Sequence, residues 1–152
     1  MKSFLKSFKY AATGLKNAVK TGKNLRFMLF FAALVFCFAI PVFENALQWA
    51  LLFAVTGVTL AAEIFNTSIE RLCDRVCRER DLDIKFVKDT AAGAVLALSI
   101  FDAAAGICLF VTGGRFMKII RYSAAHPIYA AAVIILLILV FLSVILRGKR
   151  ND

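Results

Sequence analysis

Cysteine is scarce in this chain, and the four present build no framework. Cys37 and Cys108 lie inside apolar runs, where a thiol is a small hydrophobe. Cys73 and Cys77 stand four apart with no histidine nearby, whereas structural zinc wants four ligands. Cysteine usage therefore gives no sign of a metal site or of an oxidising compartment. The single histidine, His126, reads as an interfacial loop residue. Acids are also few: 10 Asp/Glu stand against 19 Lys/Arg, for a net charge of +9. A nucleic-acid partner would want that charge on a folded soluble surface. Here the basic residues flank apolar runs, which points to membrane topology and anionic headgroups and away from nucleic acid. No pair of hydrophobic segments is broken by Gly or Pro, which counts against a channel or transporter with a midplane site.

What fills the chain is apolar residues, 61% of 152, with mean hydropathy +0.79. Soluble domains carry roughly 45–50%. The runs are long enough to span a bilayer, which takes about 20 residues. The reading is an all-α membrane protein with no separate soluble module. Residues 1–26 form an amphipathic surface helix. Phe4, Phe8, Ala11, Leu15 and Val19 fall on one side at helical spacing, and Lys2, Lys6, Lys9, Lys16 and Lys20 on the other. A signal peptide is the alternative, but more spans follow and no cleavage site is evident.

Spans are expected at about 27–43, 47–65 and 90–111, with a fourth at 128–146. Pro41 falls near the end of the first, and Trp49 starts the second as an interfacial aromatic. The second helix is expected to run on into the charged segment 66–80. Residues 27–111 make a three-span core. Residues 112–152 add a connector and a further C-terminal hydrophobic helix. Lys/Arg counts orient the chain: seven in 1–26, six in 66–89, three in the tail, and none in the Glu44-Asn45 turn. Both termini then face the cytoplasm. The three basic residues of 115–121 fall on the other side, which leaves a full fourth crossing and a re-entrant hairpin both open.

The chemistry concentrates where the second apolar run turns polar. Glu63, Asn66, Glu70 and Asp74 lie within an arc of about 80° and rise along about 16 Å of helix. A carboxylate at that boundary is expensive to bury and marks a functional site. Two carboxylates one to two turns apart suit Mg²⁺, which shares its shell with phosphates. A carboxylate at the lipid edge accepts a proton from a lipid hydroxyl. Across the connector, Lys88 and Asp89 are expected at the same depth, where a lysine holds a phosphate as a point charge. For 70–80 alone, a solvated hairpin is the competing reading.

Glu63-Ile-Phe-Asn66-Thr-Ser-Ile-Glu70, then Asp74, then Lys88-Asp89-Thr-Ala-Ala-Gly93-Ala-Val-Leu96 resemble the small bacterial integral-membrane lipid kinases. These are the diacylglycerol kinases and their undecaprenol kinase relatives. Phe8-Lys9-Tyr10-Ala11 with Gly14-Leu15 is similar to that family's N-terminal motif. The resemblance covers about residues 4–111 without a gap, and its wording sits nearer the undecaprenol branch. It implies a homotrimer of three-span subunits in the bacterial inner membrane, with active sites at subunit interfaces on the cytoplasmic face. It implies ATP and Mg²⁺ as cofactors and a membrane lipid alcohol, undecaprenol or diacylglycerol, as acceptor. By the same resemblance Glu63 is the catalytic base and Glu70 a metal ligand. Tyr10, Asn66, Asp74, Lys88 and Asp89 then surround the nucleotide.

Two features depart from that pattern. Gly22 stands where the family carries a second metal-binding Glu, so a degenerate, non-catalytic membrane scaffold is the alternative function. Gly22→Glu is the substitution that restores the carboxylate. The fourth hydrophobic segment exceeds a three-span core. Asp102, deep in the third span, is expected to make a polar helix–helix contact with Gln48 or Thr56, with a proton relay as the other reading.

Overall fold

The structure is a computed structural model that describes residues 2–148 apart from 78 and 80. The basic tail at 149–150 and Arg78 and Arg80 of the charged connector lie outside the described residues. The described chain is helical, with no strand. Helices α1 (Lys2–Thr21), α2 (Lys23–Ala39), α3 (Ala46–Val76) and α4 (Leu82–Phe110) come first; a 3₁₀ turn, α5 (Arg115–Ala125) and α6 (Pro127–Gly148) follow. Helices α3, α4 and α6 are long and apolar enough to cross a membrane. Helix α2 has 17 residues and meets α1 at a 96° bend. That right angle at Gly22 fits a surface helix leading into a span.

Helix α2 ends earlier than the sequence reading placed it, at Ala39 and not near 43. Pro41 is the reason. It offers no N–H to the carbonyl of Cys37, although Ile40 before it keeps helical backbone angles. That carbonyl accepts from Ile40 N–H at 3.2 Å and from the Tyr129 hydroxyl at 3.0 Å. The Tyr comes from α6, which runs alongside α2. So the proline that stops α2 also creates the acceptor that ties the C-terminal helix to it.

Helix α3 starts with a capping box. The Asn45 side chain accepts from Gln48 N–H, and the Gln48 side-chain oxygen accepts from the backbone of Asn45 and Glu44. Gln48 is therefore committed to the helix start, which removes it as the expected partner of Asp102. Helix α3 runs through the polar stripe to Val76, as the sequence reading expected. Helix α4 begins at Leu82, eight residues before the expected 90, because Asp81 caps it by accepting from Asp83 and Ile84 N–H.

The stretch 115–121, read as a connector, is a separate helix. Gly113 and Gly114, at φ of 67° and 71°, make the left-handed turn that breaks α4 from α5. Ile119 buries in a cluster with Val42, Phe43, Leu52 and Leu109 at the end of the molecule that holds the Glu44 turn. Lys118 Nζ reaches Glu44 Oε1 at 2.7 Å. Helix α5 is thus pinned beside the α2–α3 turn, and α6 returns along α2.

Candidate functional site

Helices α3 and α4 form an antiparallel hairpin with steps of three and four on both sides. Every buried residue of α3 (Leu52, Thr59, Glu63, Asn66 and Cys73) lies on one such stripe. The less exposed positions of α4, among them Lys88, Ala91, Val95, Leu98, Asp102 and Leu109, form its counterpart. Two pins set the register. Lys88 Nζ lies 2.9 Å from Asp74 Oδ1 at one end, and Leu109 shares a core cluster with Leu52 at the other.

Three polar residues occupy the middle of the stripe. Glu63 is 2% exposed, with Thr59 and Asn66 at 4%. Burying such groups without partners is costly, so their neighbours matter. Asn66 Nδ2 donates to Glu70 Oε1 at 3.4 Å, a long contact. Asn66 Oδ1 is buried with no hydrogen-bond donor among the described residues. Glu70 is half-buried one turn further on. An open amide oxygen beside a carboxylate is a hard-oxygen donor pair. Mg²⁺ is commonly held by one or two carboxylates plus substrate phosphates, so this pair fits it. Among the described residues, no group of three or more His, Cys, Asp or Glu side chains converges as a metal site. The oxygens on hand are therefore those of Glu70 and Asn66, with phosphates completing any shell.

The register corrects the expected depth of Lys88 and Asp89. Lys88 stands level with Asp74, one turn past the Glu63 to Glu70 stretch where it was expected and eleven positions on from Glu63. The short connector between α3 and α4 forces that pairing. Asp89 is exposed at the head of α4. Tyr10 is 73% exposed on α1 and stands apart from the stripe within one protomer.

Helix α1 lies over the neighbouring face of α3. Between them opens a cleft of about 500 Å³ lined by Gly14, Asn17, Ala18, Thr67, Ser68 and Arg71. Gly22, at the elbow, is buried and close to Thr67. A Cβ there would sit 2.8 Å from the Ala18 carbonyl oxygen and 3.2 Å from Leu25 Cβ. The elbow is built for glycine, so a glutamate at 22 would force it to shift and is a poor test of lost metal binding. Sequence reading missed Thr59, although it falls one turn before Glu63 on the same stripe.

A helical membrane protein with a buried carboxylate–amide stripe and a lysine at its polar end has the makings of a site where phosphate meets lipid. A sequence profile of the prokaryotic diacylglycerol kinase family matches residues 9–110. The chain belongs to that family, and it is by that membership a lipid kinase. It is 29% identical over 108 residues to "Undecaprenol kinase" of Bacillus subtilis (strain 168), covering 71% of this chain and 88% of that one. It is 31% identical over 110 residues to "Diacylglycerol kinase" of Synechocystis sp. (strain ATCC 27184 / PCC 6803 / Kazusa), covering 72% of this chain but 63% of that protein's length. No solved structure matches it. The profile match ends where α4 ends, so α5 and α6 lie beyond it.

Proposed function

We propose that the protein transfers the terminal phosphoryl group of ATP to the hydroxyl of a membrane lipid alcohol at the cytoplasmic face of the bacterial inner membrane. The carrying observation is the buried pair Glu63 and Asn66 leading to Glu70 on one helical stripe. In this reading Glu63 accepts the proton of the lipid hydroxyl as that oxygen attacks phosphorus. Its burial at the apolar end of the stripe excludes water, which would otherwise compete as the nucleophile. Mg²⁺, when bound, neutralises the developing charge on the phosphates. Glu70 and Asn66 Oδ1 are the residues to hold it.

Lys88 holds a phosphate as a point charge, and Asp74 positions the lysine through their 2.9 Å contact. Asp89 and Tyr10 contact the nucleotide from the head of α4 and from α1. The exposure of Tyr10 fits a contact made to a neighbouring subunit's site. A homotrimer, with sites completed between subunits, supplies that neighbour. The orientation follows the basic residues of α1 and of the α3–α4 connector, which face the cytoplasm. In this reading α5, held to the Glu44 turn by Lys118, keeps its three basic residues on the opposite face, and α6, long and apolar enough to span, crosses back.

The test is incubation of the purified full chain with radiolabelled ATP, Mg²⁺ and each of undecaprenol and diacylglycerol in mixed micelles. Labelled lipid phosphate is the expected product. A second reading, a non-catalytic scaffold of the same fold, is favoured by Gly22, whose crowded elbow leaves no room for the family's carboxylate. Activity of the wild-type chain rules that reading out; absence of product with every acceptor supports it.

A further inference from the structure

Several helical hydroxyls in this protein bond back along their own helix. Thr13, Ser68, Ser99 and Ser123 each donate to the carbonyl four residues back, at 2.8–2.9 Å. That local bond is the usual refuge of a hydroxyl in an apolar helix. Thr59 departs from it. Its Oγ1 is buried and has no hydrogen-bond partner among the described residues. A buried hydroxyl left unsatisfied costs roughly 1–3 kcal/mol, so it wants an explanation in a ligand or a water.

The register says what lies across the seam. Fourteen residues on from Lys88 and fourteen back from Asp74, Asp102 stands level with Leu60. Counted seven from the Leu109 and Leu52 pin, it stands level with Thr59. Asp102 is half-buried on the α4 stripe that faces α3. Thus an unpartnered buried hydroxyl lies about 6 Å further into the apolar run than Glu63, at about the level of Asp102 on α4. The reacting hydroxyl needs only Glu63. A polyprenol carries no other polar atom, and would leave this second station bare. A glycerolipid carries ester carbonyls a few bonds from its free hydroxyl, on its acyl-chain side.

We propose that Thr59 is a specificity-determining residue: its hydroxyl donates a hydrogen bond to an ester carbonyl of a glycerolipid acceptor whose free hydroxyl meets Glu63. This rests on the lipid-kinase reading and adds the acceptor's linkage chemistry to it. Sites built to hydrogen-bond a group reject analogues that lack it, because the protein's own polar atoms are then stranded.

The experiment compares a diacylglycerol, the matching dialkylglycerol ether and a polyprenol in mixed micelles, measuring both turnover and lipid retention on the purified protein. The wild type is expected to favour ester over ether by about tenfold, the scale of one hydrogen bond, mostly in KM. Thr59→Val removes that preference, and Thr59→Ser restores it. Equal use and retention of ester and ether by the wild type overturns the proposal. So does a Thr59→Val loss that is the same for all three lipids, or a Thr59→Ser variant that does not recover. Ester-selective retention without turnover of any lipid supports the subsite and sinks the kinase reading. Turnover without ester preference does the reverse.

Discussion

Lys88 Nζ sits 2.9 Å from Asp74 Oδ1, fourteen residues away, and the pair fixes how α4 slides against α3. Both side chains are substantially open to water, at 37% and 66% exposure. Such pairs contribute at most about 1 kcal/mol to stability. Their value here is position: the contact holds an ammonium group near Glu70, at the polar end of the stripe.

The first prediction follows from that contrast. Lys88→Ala lowers kcat/KM for ATP by about a hundredfold, the scale of losing one charge-stabilising group. Its melting temperature stays within a few degrees of the wild type. Kinase assays and thermal melts on the same preparations check the pair of outcomes. A large loss of stability with proportionate loss of activity would assign Lys88 a structural role.

Asn66 and Glu70 make the second prediction. Asn66→Ala removes the open buried amide oxygen, and Glu70→Gln the adjoining charge. Each raises the Mg²⁺ concentration for half-maximal activity by about tenfold or more, as changes around a metal site do. A Mg²⁺ titration at saturating ATP reads it directly. An unchanged midpoint in both variants removes them as ligands.

Tyr129 and Pro41 form a linked pair through the Cys37 carbonyl. Tyr129→Phe strips one donor from that carbonyl and costs about 0.5–1.5 kcal/mol. Pro41→Ala in the same chain supplies a backbone N–H in its place and recovers part of the loss. Unfolding measurements on the two single variants and the double variant test the coupling. Catalytic rates are expected to stay unchanged, since α6 packs on α2 and away from the stripe.

The Glu44–Lys118 contact predicts a pH dependence. The Lys118 hydrogen bond and charge, helped by Arg115, hold the Glu44 carboxyl below its ordinary value of 4.5. A lowered carboxyl stabilises the fold above pH 4.5, and that contribution is lost as pH falls through the lower folded-state value. Protection of the α5 amides, measured against their intrinsic exchange rates, is therefore expected to hold down to about pH 4.5 and to fall below it. Glu44→Gln makes the α5 protection factors indifferent to pH over that range.

Much of this architecture was legible because periodicity and charge are local. The Lys-rich face of α1, the spans and the Glu63–Glu70 stripe follow from spacing alone. The continuation of α3 to Val76 was legible for the same reason. The caps at Asn45 and Asp81 were visible as residue types, yet only their bonds show that α4 starts at Leu82. Helix α5 was hidden by its shortness, although Phe116, Ile119 and Ile120 alternate with Arg115, Lys118 and Arg121 in helical steps. Register was not legible at all. It depends on which residues of two helices meet, and so the pairing of Lys88 with Asp74 and the unpartnered burial of Thr59 needed coordinates. Gly22 read as a missing carboxylate. The elbow gives it a steric reason as well.

The central claim is that Glu63 takes the proton of a lipid hydroxyl. Its most direct test is phosphoryl transfer from radiolabelled ATP by wild type and Glu63→Gln, each with its melting curve and oligomeric state recorded. The account predicts labelled lipid phosphate from the wild type. It predicts a variant that assembles and melts like the wild type but turns over at least a thousandfold more slowly, on the scale of a lost general base and its charge. A folded Glu63→Gln protein that phosphorylates lipid at near wild-type rate would contradict it.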